Sequence, residues 1–151
     1  MSYSTVQRLF VPLFVSAFLL NWPWEMFQMS AYVETAGRSW GETALTCAIA
    51  SLGDAMITLL VYAAAALIAG RFRWPPKVGW RVGLLAAPLG ALVALMIEWA
   101  ALSTNRWSYT ERMPKAYGVG LWPVLQLTLI VPVAMWLASW WHRRSLTAEG
   151  K

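Results

Sequence analysis

The sequence predicts an all-α polytopic membrane protein: four transmembrane helices in an antiparallel bundle, with both termini cytoplasmic. Three observations predict it. Of 151 residues, 59% are apolar and only 13% are charged, too apolar a balance for a water-soluble domain of this length. Four apolar runs each reach the roughly 20 residues that a bilayer-spanning helix needs. The basic residues flank those runs instead of forming a stripe of their own, so the net charge of +5 reports topology and excludes a nucleic-acid partner.

The runs cover about 7–33, 43–70, 82–104 and 118–141, and they make a single transmembrane domain over 1–151 with an outer loop at 105–117. The first run is too long for the apolar core of a signal peptide and no small-residue cleavage site follows it, so it reads as a retained helix. Arg8, Arg71, Arg73, Lys77, Arg81, Arg143, Arg144 and Lys151 put eight basic residues on one side. Arg38, Arg106, Arg112 and Lys115 put four on the other. The positive-inside rule then places the termini and the 71–81 connection in the cytoplasm, as expected of a multi-pass protein of a bacterial inner membrane. Trp74, Trp80, Trp136, Trp140 and Trp141 fall near the inner interface, and Trp40, Trp107 and Trp122 near the outer one, the depth that indole rings prefer.

Polar side chains inside the first two runs follow a helical spacing. Asn21, Glu25, Gln28 and Tyr32 stand at i, i+4, i+7 and i+11, one narrow stripe of a helix, and Cys47, Ser51, Asp54 and Thr58 repeat the spacing in the second run. Glu98 is the sole charge of the third run, and Gln126 is the main polar side chain of the fourth. At 1.5 Å per residue, Glu25, Asp54, Glu98 and Gln126 all lie between the outer headgroups and the midplane. An ionisable group in hydrocarbon costs at least about 2.5 kcal/mol, so three carboxyls in one leaflet are most simply read as facing a shared polar cavity.

The remaining features support that pocket. Pro23 should kink the first helix beside Glu25 and free the carbonyl of Leu19, and Pro88, Pro123 and Pro132 should do the same in the last two. Gly83, Ala87, Gly90, Ala91 and Ala94 offer the third helix a face for close packing. Trp107, Tyr109, Tyr117 and Met113-Pro114 could fold the outer loop as a lid, bringing Arg106, Arg112 and Lys115 near the carboxylates; the alternative is a loop whose aromatics anchor at headgroup depth. The inner halves of the four runs carry only Ser16 and Tyr62 as polar side chains, which favours a one-sided pocket over a path through one copy.

A carboxyl group in apolar surroundings favours its neutral form and can give its proton to a weakly basic group, while a second carboxylate and aromatic faces stabilise a developing cation. Protonation of an alkene or epoxide in an isoprenoid needs those groups. The candidate catalytic residues are therefore Glu25, Asp54 and Glu98, and the candidate substrate-binding residues are Asn21, Gln28, Tyr32, Trp107, Tyr109 and Gln126. No cofactor and no metal are expected: no His lies in any run, the lone Cys47 excludes a thiolate cluster, and oxygen ligands would suit only a hard cation.

Asn21-x-x-Trp24-Glu25, followed by a Tyr, resembles a pattern in the membrane terpene cyclases of fungal meroterpenoid pathways, where the Glu belongs to the acid machinery that starts cyclisation. The likeness covers about a dozen residues, and those cyclases have about seven spans against four here. Over most of the chain, N-x-x-W-E-x-x-Q, a later Glu, W-x-Y and the stretch Gly118, Gly120, Leu121, Pro123 and Gln126 resemble small bacterial four-helix integral membrane proteins, which implies a fold and no activity. Three function classes stay open: an intramembrane acid catalyst with a lipid or isoprenoid ligand, a small proton- or cation-coupled transporter, and an accessory or assembly subunit. The last would pair with a partner membrane subunit, and a homo-oligomer is compatible with all three.

Overall fold

The computed structural model describes residues 3–69 and 80–149. Four long helices dominate them: α1 (Tyr3–Gln28), α2 (Trp40–Ile68), α3 (Trp80–Ser103) and α4 (Leu121–Glu149). Each contains a segment long and apolar enough to cross a membrane. The helices pack in a ring, with α1 against α2 and α4, and α3 against α4 and, less extensively, α2. Of the basic 71–81 connection, residues 71–79, with Arg71, Arg73, Trp74 and Lys77, lie outside the described residues.

Local chemistry sets the helix ends, and several of them differ from the expected ones, with α1 starting at Tyr3, α4 starting at Leu121 and α4 running on to Glu149. The first helix stops at Gln28 instead of continuing to Val33. Two 3-10 turns, Met29–Ala31 and Val33–Thr35, flank Tyr32, whose backbone is extended (φ −110°, ψ 137°). Thr35 Oγ1 donates to the carbonyls of Met29 (2.7 Å) and Tyr32 (2.8 Å), satisfying acceptors that the ended helix leaves. Tyr32 itself bridges to Tyr109 in antiparallel fashion, and Val33 and Thr110 exchange backbone bonds with Ser108 and Ala31. Tyr32 is therefore not on the helical stripe of Asn21, Glu25 and Gln28. Helix α2 starts three residues early because Ser39 and Glu42 form a capping box, each side chain accepting the other's backbone N–H.

The 105–117 segment is built in two steps. Asn105 adopts φ 52° and closes α3, with Asn105 N–H bonded to Leu102 O and Arg106 N–H bonded to Ala101 O, the paired bonds of a Schellman end. A hairpin of β1 (Lys115–Ala116) and β2 (Val119–Gly120) follows, turned by Tyr117 and Gly118, both at positive φ as a type I′ turn requires. Gly118 and Gly120 thus belong to the hairpin and not to the fourth helix. Pro123 falls in the first turn of α4, where its missing N–H has no intrahelical partner to lose, so it need not kink the helix. Pro23, Pro88 and Pro132 do lie inside helices.

The packed face of α3 matches the expected one at Gly90 and Ala94 but not at Gly83. Val82, Ala86, Gly90, Ala94, Glu98 and Ala101 are its buried residues, whereas a side chain at Gly83 would meet nothing. At Gly90 the backbones of α3 and α4 come so close that a Cβ would stand 2.6 Å from Leu127 O. The apolar core, with Leu13, Ala17, Val61, Ala65, Val131, Ala134 and Met135 at its centre, fills the bundle toward the chain termini.

Candidate functional site

At the opposite end, four helices surround a cavity of about 580 Å³. Glu25 and Gln28 of α1, Asp54 of α2, Glu98 of α3 and Gln126 of α4 all line it, so the depths read from the sequence do converge. Gln126 is the hub. Its Nε2 lies 2.8 Å from Glu25 Oε1, 2.9 Å from Asp54 Oδ2 and 2.9 Å from Asn21 Oδ1. Its Oε1 accepts from Gln28 Nε2 (3.0 Å), which also donates to Glu25 Oε1 (2.8 Å).

Three acceptors thus crowd a nitrogen that carries only two hydrogens. Glu25 and Asp54 therefore meet on the same amide nitrogen. Two carboxyls that meet on one amide nitrogen repel each other when both are ionised and attract when a proton is shared between them.

Glu98, 1% exposed, lines the same cavity from α3. Its Oε2 and the indole N–H of Trp107, which lines the same cavity, are both buried without a hydrogen-bond partner. Among the described residues no group of three or more His, Cys, Asp or Glu side chains could hold a metal ion.

Aromatic rings form the mouth. Tyr32 and Trp107 line it edge to face, with centroids 6.1 Å apart. Burial, then the nearby carboxyls of Glu98 and Glu25, push the Tyr32 phenol well above its ordinary value, so it stays a neutral hydroxyl. Glu34, Arg38 and Arg106 complete the rim. Glu34 Oε1 accepts from Ser108 N–H (2.7 Å) and Ser108 Oγ (2.8 Å), and so ties the 105–117 segment to the turn after α1.

Two expected binding residues stand behind the wall. Asn21, fully buried, donates from Nδ2 to Ala17 O (2.9 Å) and accepts from Gln126, so it positions the hub. Tyr109 packs on Tyr32 and accepts the Gly120 N–H at 3.2 Å, bracing the hairpin. Of the second stripe, Asp54 alone reaches the cavity. Cys47, Ser51 and Thr58 are buried against neighbours, with the Ser51 hydroxyl unpartnered and Thr58 Oγ1 bonded to Asp54 O. Trp24 turns away to an aromatic cluster with Phe27 and Trp122. Arg112 and Lys115 do not reach the cavity, whereas Arg38, Thr46 and Gly53 do, and the sequence reading did not single out the last two. Only the spacing of Thr46, Ala50, Gly53 and Ile57, on the α2 face that carries Asp54, could have found them.

No protein-family model matches the chain, and neither the curated proteins nor the solved structures contain a significant match. The functional reading therefore rests on this geometry.

Proposed function

We propose that the protein spans a membrane with both termini cytoplasmic, and that its carboxyl-lined cavity, open toward the outer face, performs acid–base chemistry on an isoprenoid or related lipid. The Glu25–Asp54 pair bridged by Gln126 carries this reading. It is a store for one proton at the polar end of a cavity whose sides are Ile57, Ala94, Ile97 and Leu127. The proton passes to an alkene carbon or epoxide oxygen, the carboxylate left behind stabilises the cation, and Tyr32 and Trp107 offer it aromatic faces. Loss of a proton from the product restores the pair. Glu98, which lines the same cavity from α3, is the second site able to take that proton.

The packed apolar core beyond the cavity supports a one-ended pocket and weighs against transport through a single copy. An accessory subunit, the remaining alternative, would need no such cavity.

The test is incubation of the purified protein with isoprenoid alkenes in D₂O, where protonation leaves a stable C–D bond, followed by mass spectrometry. Wild type should place deuterium in the product, while Glu25→Gln and Asp54→Asn should fold normally and place none. Absence of incorporation by wild type across chain lengths, or incorporation that both variants retain, would sink the proposal. Loss of folding in both variants would point to a structural role instead.

A further inference from the structure

The rim of the cavity has a chemistry opposite to its floor. Arg38 Nη1 donates to Thr46 Oγ1 at 3.1 Å, which holds the guanidinium over the opening, and its remaining N–H groups make no other bond among the described residues. Arg106, from the segment after α3, lines the same cavity, its guanidinium carbon 5.8 Å from the Trp107 ring. Neither arginine forms a close ion pair among the described residues, although Arg38 lies near enough to Glu34 and Glu42 to favour their charged forms. Glu34 is the rim's one carboxylate, and its Oε1 is taken up by Ser108.

The side of the cavity is open as well. Ala50, Gly53 and Ile57 of α2 face Ala94 and Ile97 of α3, yet Gly53 is exposed and Ile97 is 37% exposed. A Cβ at Gly53 would meet no atom within 4 Å. Residues that line a cavity and are exposed at the bundle surface mark an opening, here a cleft between the two least closely packed neighbouring helices.

We propose that the ligand of this cavity is an anionic amphiphile whose negatively charged head is held between Arg38 and Arg106 and whose chain enters sideways through the α2–α3 cleft. The inference rests on the lipid reading above and adds the charge of the substrate and its route. Guanidinium groups suit phosphate and carboxylate heads because their planar N–H forks bind two oxygens at once. A head fixed at the rim leaves the chain to run over Ile57 and Ile97 toward the Glu25–Asp54 pair.

Calorimetric titration of the detergent-solubilised protein with farnesyl phosphate, farnesol and a phosphatidylglycerol tests this. Farnesyl phosphate should bind about tenfold more tightly than farnesol, and Arg38→Gln with Arg106→Gln should erase that difference while leaving farnesol within about twofold. Gly53→Leu should weaken farnesyl phosphate and farnesol alike, by about tenfold, by filling the cleft. Tighter binding of phosphatidylglycerol than of farnesyl phosphate would identify the head as that of a membrane phospholipid. Equal binding of the charged and neutral farnesyl probes, or indifference to the arginine substitutions, would overturn the proposal. Because both arginines are exposed, their variants should fold, and a melting curve on each checks it. Deuterium incorporation from farnesol without tighter farnesyl phosphate binding would refute this inference alone, and the reverse would refute the proposed chemistry alone.

Discussion

The two ends of this bundle use the same four helices in opposite ways. Toward the termini, Ala17, Ala65, Ala134 and Ala138 interlock with Leu13, Val131 and Met135, and almost no side chain there needs a hydrogen bond. Toward the 105–117 segment, two carboxyls and three amides hold one another around open space. The first end shows that these helices pack well without polar contacts. The second departs from that solution, and the departure is hard to justify by stability, because buried polar networks seldom outperform well-packed apolar ones.

The largest effect should come from giving the apolar end what the polar end has. Ala134 is fully buried, and Ala134→Asp would leave a carboxyl with no amide to meet it. The cost should be about 3 kcal/mol or more, read as a lower midpoint in denaturant titration of the detergent-solubilised protein. Tolerance of that substitution would mean that water reaches the apolar end and that the contrast is false.

The converse substitution removes the hub. Gln126→Leu strips partners from Asn21, Glu25, Asp54 and Gln28 together, and should destabilise by roughly 2–3 kcal/mol, less than the sum over the separate groups because the carboxyl pair can repair itself around a proton. Gln126→Glu, which keeps the shape and adds a third acid, should disturb stability less and any proton-transfer activity more. Comparing melting temperature with activity in the two variants separates support of the fold from support of the chemistry. A milder change targets the bracing of the mouth. At Gly120 a Cβ would stand 2.9 Å from the Tyr109 ring and hydroxyl and 3.1 Å from Met113 Sδ, so Gly120→Ala should cost about 1–2 kcal/mol and shift Tyr109 without touching the carboxyls.

The same contrast explains what could be read from the sequence. The convergence of Glu25, Asp54 and Gln126 was legible because helical period and depth are both intrinsic to a membrane-length helix, and neither depends on distant residues. The fate of Tyr32 was not, because the turn after Gln28 is chosen by a pairing with Tyr109, 77 positions further on. Asn105 as a helix stop and Ser39-x-x-Glu42 as a helix start were visible signals that the apolar runs overshadowed. The packed face of α3 was read correctly at Gly90 and Ala94 and missed at Gly83, which is small yet meets no neighbour, because size by itself does not say which small residues touch one.

The smallest effect concerns the rim, where polar contacts meet solvent. Against a desolvation penalty, hydrogen bonds from the Glu34 backbone and from Ser108, aided by Arg38, hold the Glu34 carboxyl below its usual range. A carboxyl whose pKa is lower in the folded protein stabilises it above its unfolded pKa, and that contribution is lost as pH falls through the folded value. The tie between Glu34 and Ser108 should therefore hold at neutral pH and weaken only in acid, below the ordinary carboxylate range. Because Glu34 is exposed, the change should be confined to the mouth and leave global unfolding nearly unmoved. Hydrogen exchange of the Ser108 amide, corrected for its intrinsic rate, reads it directly. Protection should fall with acid in the wild type, and Glu34→Gln should show weakened protection at every pH. Protection that is equally strong in the variant would mean that the 105–117 segment is held by its backbone pairing with Ala31 and Val33, and that the rim is as self-sufficient as the apolar end.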